Sequence, residues 1–69
     1  MDRHYIKIRA VERKENLGDV AKVLGITQPT LSALIAGAGV SPDLAKRIAA
    51  WHGDVTAGFV LWGPDDDYA

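Results

Sequence analysis

LGDVAKVLGITQPTLSALIAG, residues 17–37, reads as two short amphipathic helices joined by a tight glycine turn. Leu17, Val20, Ala21 and Leu24 recur at i, i+3, i+4 and i+7, so four apolar side chains share one helical face. Gly25 follows at the point where the chain must leave the helix, and glycine takes positive φ there without steric cost. Ile26 plugs the corner, and Thr27 offers a hydroxyl oxygen to the free N–H groups of the next helix. Pro29 falls in that helix's first turn, where a missing N–H costs nothing. Leu31, Leu34 and Ile35 form the second apolar face, and Gly37 ends the unit.

Two helices with a turn of about four residues make a helix-turn-helix. The stretch resembles the Cro and lambda-repressor-like (XRE-type) regulators of phages and bacteria. The residues that carry the likeness are Ala21 within the first helix, Gly25 at the turn, Ile26 and Thr27 after it, and TQPTLS at 27–32. Downstream, SPDLAKRIAAWHGDVTAGFVLWGP at 41–64 is similar to the helix pair that closes such domains in small phage-type regulators. The likeness covers about two-thirds of the chain. It implies an all-α, compact four- to five-helix domain that binds double-stranded DNA and regulates transcription, most commonly as a repressor.

Working outward, residues 3–14 are expected to hold a first helix, with Ile6, Ala10 and the stem of Arg13 inward. Partial alternation in YIKIRAV (5–11) also allows a short strand, and the two remain open at this level. Asn16 is placed to cap a helix over 17–24, and Thr27 one over 28–36. Ser41-Pro42-Asp43 supplies a cap, a proline at the first helical position and an acid favoured by the helix dipole. The helix it starts should run to about His52, with Leu44, Ile48 and Trp51 along one face and Gly53 at its end. Thr56 is placed to cap a last helix through Trp62, stopped by Gly63-Pro64. One domain over residues 1–64 and an acidic, flexible tail over 65–69 are therefore expected.

Composition limits the function classes. A chain of 69 residues has room for one small core, close to the lower size limit for unassisted folding. It has no cysteine, which removes disulfides and thiolate metal sites. No apolar run approaches the ~20 residues of a membrane span and no secretory segment opens the chain, so the cytoplasm is the expected compartment. His4 and His52 have no local acid or thiol partner, and Asp65, Asp66 and Asp67 lack the fixed oxygen cage of a divalent-ion site. No hydroxyl has a visible activating base, so neither an enzyme nor a cofactor or metal site is expected.

Net charge is −1, with eight basic and nine acidic residues, whereas DNA-binding domains are usually basic. The charges are unevenly spread. Arg3, Lys7, Arg9, Arg13, Lys14 and Lys22 outweigh Asp2, Glu12, Glu15 and Asp19 by two over residues 1–22. Asp54, Asp65, Asp66 and Asp67 stand without a base over residues 53–69. A basic front can still present a positive face to phosphate.

The resemblance places the second helix of the motif in the major groove, so that Thr27, Gln28, Thr30, Ser32 and Ala33 face DNA. Gln28 is the expected base reader, because its amide donates and accepts together and matches adenine N6 and N7. Such a bidentate contact is worth about 1–3 kcal/mol of discrimination. Thr30 and Ala33 offer methyl groups to thymine, and Ser32 suits a base or a phosphate. No arginine or lysine lies on this helix, so adenine- and thymine-rich half-sites or shape readout are expected. The chain departs from the family at Leu17, where relatives usually carry a phosphate-binding glutamine, at Ala36, and in the uncharged loop Ala38-Gly39-Val40. Phosphate contacts then fall to Asn16, Lys22, Thr27, Lys46 and Arg47, together with the basic front.

Regulators of this type usually bind two-fold operators as homodimers. Phe59, Val60, Leu61 and Trp62 are four consecutive large apolar residues that one helix cannot all turn inward. Phe59 and Trp62 are expected to pack inward with Val55, which leaves Val60 or Leu61 outward as a dimer contact. Ile35, Ala36, Ala38 and Val40 form a small apolar strip and motivate an alternative, a helix-turn-helix scaffold that binds a protein partner through residues 35–40.

Overall fold

A computed structural model describes residues 2–63, which form five α-helices and no β-strand among the described residues. These are α1 (His4–Glu12), α2 (Leu17–Leu24), α3 (Gln28–Ile35), α4 (Pro42–His52) and α5 (Ala57–Trp62). The chain divides into two units, Met1–Ala38 with α1 to α3 and Gly39–Ala69 with α4 and α5. The acidic segment 65–69 and Pro64 lie outside the described residues.

In the first unit, the choice between helix and strand over 5–11 resolves to helix. Ile6 and Ala10, four residues apart, are buried, whereas Ile8 is exposed, as helical and not alternating geometry requires. Arg13 is exposed and its stem does not join the core. α1 ends without a glycine. Lys14 takes φ 57°, its N–H donates to Val11 O at 3.0 Å, and the Glu15 N–H donates to Ala10 O at 2.8 Å. This is a Schellman ending with lysine in the left-handed position.

Asn16 caps α2 by accepting from the Asp19 N–H at 2.8 Å, and Val20, Ala21 and Leu24 are buried while Leu17 is half-buried. Gly25 closes the helix at φ 77°, and the Ile26 N–H returns to Ala21 O at 2.9 Å. Thr27 caps α3, Pro29 sits in its first turn, and Leu31, Leu34 and Ile35 are buried. Each large aliphatic side chain taken from water in this way contributes roughly 1.5–3 kcal/mol. α3 stops at Ile35, one residue short of the expected end, with Ala36 as its cap.

In the second unit, Ser41 caps α4 by accepting from the Leu44 N–H at 3.3 Å, with Pro42 and Asp43 in the first turn. The inward face is centred on Ala45, Ile48 and His52, and the expected Leu44 and Trp51 sit half-buried at its margins. Gly53 ends α4 at φ 93°. Thr56 caps α5 by accepting from the Phe59 N–H at 3.0 Å, and α5 packs against α4. Here the expected orientation is overturned. Val60 is 1% exposed and Trp62 is 66% exposed, while Phe59 and Leu61 are half-buried. Two residues along a helix turn the direction by about 200°, so seating Val60 inward drives Trp62 outward. Val60 is therefore a core residue and not an outward dimer contact.

Candidate nucleic-acid interface

α3 separates its residues cleanly by exposure. Thr27, Gln28, Thr30, Ser32 and Ala33 are exposed, while Leu31, Leu34 and Ile35 are buried beneath them. The five expected contact positions are thus all exposed, from the helix N-terminus onward. Thr27 and Thr30 are linked there. The Thr30 N–H donates to Thr27 Oγ1 at 3.3 Å, and the two hydroxyl oxygens lie 2.8 Å apart in a hydrogen bond. If the Thr30 hydroxyl donates in that bond, Thr27 accepts twice and keeps its own proton for an external acceptor such as a phosphate oxygen.

Gln28 does not stand alone at the start of α3. Its Oε1 lies 3.3 Å from the point where a side-chain methyl on Gly18 would sit, and Asn16 Oδ1 lies 3.2 Å from the same point. Two carboxamide oxygens, one from the cap of α2 and one from the first residue of α3, therefore both approach Gly18 in the first turn of α2. Lys22 is exposed in the last turn of α2. In the second unit, Lys46 and Arg47 are both exposed on α4. Arg47 Nη2 pairs with Asp43 Oδ2 at 3.1 Å, both side chains being largely in solvent. A surface i,i+4 pair of this kind holds only about 0.3–0.5 kcal/mol, too little to keep Arg47 from a phosphate.

The basic front is thinner than the sequence suggests, because Arg3 is consumed internally. Only 6% exposed, it donates from Nη1 to Leu34 O at 2.8 Å and to Ala38 O at 2.7 Å, and its N–H donates to Ile35 O at 2.7 Å. A cation thus meets the carbonyl end of α3, where the helix dipole favours positive charge. The expected apolar strip also contracts. Ile35 is 8% exposed and belongs to the core, so only Ala36 and Ala38 of its four residues are fully exposed.

Other features escaped the sequence reading. The outer side of α1 exposes Ile8 and Val11, which with His4, Lys7 and Glu12 line an open groove, and α2 exposes Val23. Burial raises the Tyr5 hydroxyl above its ordinary value, against the nearby Arg3 guanidinium, which favours the ionised form. His52 is buried at the end of α4, and its Nδ1 accepts from the Asp54 N–H at 3.2 Å. Among the described residues, no group of three or more histidines and carboxylates is placed to hold a metal ion. No helix among them is long and apolar enough to cross a membrane. Comparison with family models, with curated proteins and with solved structures returns no match.

Proposed function

We propose that this chain is a sequence-specific DNA-binding transcriptional regulator of phage or bacterial type, acting in the cytoplasm as a repressor. The observation that carries the reading is the exposed face of α3. It begins with Thr27 and Gln28 at the helix N-terminus and stands on a buried base of Leu31, Leu34 and Ile35. In a helix-turn-helix the N-terminal residues of the second helix reach base edges. Gln28 is the base reader, Thr30, Ser32 and Ala33 supply small polar and methyl contacts, and Asn16, Lys22, Thr27, Lys46 and Arg47 meet phosphates.

With so few cations, affinity in this scheme comes from pairing two weak readers on a two-fold operator. The chain binds as a homodimer, with Leu61 of α5 at the contact. The reduced apolar strip, with Ile35 in the core, gives a protein-docking role little surface. Footprinting on the promoter beside the protein's own coding sequence tests the proposal. Protection of an inverted repeat whose half-sites lie about one helical turn apart is the expected result. Uniform, unprotected cleavage across that promoter would sink it.

A further inference from the structure

Gly18 lies inside α2, the second residue of that helix, and it is absent from the glycines with positive φ, namely Gly25, Gly37, Gly53 and Gly63. Its backbone therefore does not require glycine, and glycine in a helix is conformationally costly. What the missing side chain does provide is room. A methyl there would meet two atoms within 4 Å, Asn16 Oδ1 at 3.2 Å and Gln28 Oε1 at 3.3 Å. Both distances are shorter than ordinary van der Waals contact, so the carboxamides would have to give way by a few tenths of an ångström.

We infer that Gly18 is a specificity-positioning residue: its bare Cα opens the seat in which the Gln28 amide rests against α2, and so fixes how that amide meets a base. The inference rests on the DNA-reading role of α3 and adds to it a residue that touches no base. An exposed glutamine samples many rotamers in water, and each must be surrendered when it forms a two-point contact. Seated against the first turn of α2, beside the Asn16 cap, Gln28 surrenders fewer. Filling the seat releases the amide, which then reads its base less selectively, while the charged phosphate contacts Lys22, Lys46 and Arg47 lie outside the atoms the methyl would meet.

The test has two arms. In the free protein, nuclear Overhauser contacts between the Gln28 side-chain protons and the Gly18 α-protons are expected, and the absence of any such contact overturns the inference without any variant having to fold. In the second arm, base-preference profiles are measured for the wild type, Gly18→Ala, Gln28→Ala and the double variant, each checked by thermal melting. Gly18→Ala should reduce preference by about 3- to 10-fold at the base position affected by Gln28→Ala, and should add nothing in the Gln28→Ala background. Affinity for competitor DNA should stay within about twofold, since counterion release is unchanged. If Gly18→Ala shifts only the melting temperature and leaves the profile intact, Gly18 is a structural residue and the inference fails. A wild-type chain without any base preference would overturn the DNA reading and this role with it. The Overhauser contacts, which need no DNA, would then still tell that failure apart from an empty seat.

Discussion

Arg3 and Leu34 are joined across 31 positions by a buried hydrogen bond of 2.8 Å, from the guanidinium Nη1 to the last-turn carbonyl of α3. The same nitrogen also reaches Ala38 O at 2.7 Å, so one side chain ties the segment before α1 to the end of the proposed recognition helix. Hydrogen bonds to a charged donor contribute about 1.5–3 kcal/mol each, and removing the donor leaves Leu34 O with only the Gly37 N–H at 3.1 Å. Arg3→Met keeps the alkyl stem and should cost about 2–4 kcal/mol in urea unfolding. Arg3→Lys, which keeps the charge but not the fork, should lose less. Equal stability of all three proteins would contradict the capping role.

Lys14 holds φ 57° at the end of α1. A left-handed backbone is strained for a residue with a Cβ and free for glycine. Lys14→Gly should therefore stabilise the fold by about 0.5–1 kcal/mol, or roughly 3–6 °C in melting temperature. A drop in melting temperature would show that Lys14 makes a compensating contact.

Tyr5 sets a limit at alkaline pH. Burial raises its hydroxyl above the ordinary 10.0, while Arg3 pulls the other way through its charge and hydrogen bonding. The unfolded chain thus releases the proton first. Its contribution to stability is complete below about pH 10 and is lost as pH rises through the raised folded value. Unfolding midpoints measured from about pH 9 to about pH 11 should fall in the wild type and fall less in Tyr5→Phe. Parallel curves for the two proteins would refute this.

His52 accepts from the Asp54 N–H through Nδ1, which fixes the proton of the neutral ring on Nε2. Long-range proton–nitrogen spectra at neutral pH should show an unprotonated Nδ1. A ring protonated at Nδ1 would mean that this turn is built differently.

Most of the fold was legible because its signals are local. Asn16, Thr27, Ser41 and Thr56 each cap the helix that follows, as their spacing from the apolar faces implies. Gly25 and Gly53 end helices in the left-handed conformation expected of them. The end of α1 was harder to read because a lysine occupies the position where glycine would have announced the stop. Arg3 was counted among surface charges, since its acceptors lie more than thirty residues away and no local pattern points to them. In α5, four adjacent apolar residues carry no preferred face of their own. Packing against α4 put Val60 inward and Trp62 outward, reversing the expected arrangement. At the candidate interface, the buried face of α3 followed from periodicity, whereas the contact positions came from the family resemblance. The seat for Gln28 did not, because it depends on what Gly18 lacks.

The charge proposed to meet phosphate is small enough to be counted by salt dependence. Lys22, Lys46 and Arg47 together would release counterions with a log–log slope of about −2.7 per protomer, or roughly 40-fold in affinity between about 50 and about 200 mM salt. Lys22→Ala or Arg47→Ala should weaken binding evenly across sequences and flatten that slope by about 0.9. A steeper wild-type slope would place further cations on the DNA.

The central claim is that α3 reads bases through Gln28. Fluorescence-anisotropy titration of genomic promoter fragments, at those two salt concentrations and with wild type beside Gln28→Ala, addresses it directly. Salt-dependent binding with a preferred fragment is predicted for the wild type, and Gln28→Ala should lose the preference while retaining most of the general affinity. Absence of salt-dependent binding by the wild type, or an unchanged preference in Gln28→Ala, would contradict it.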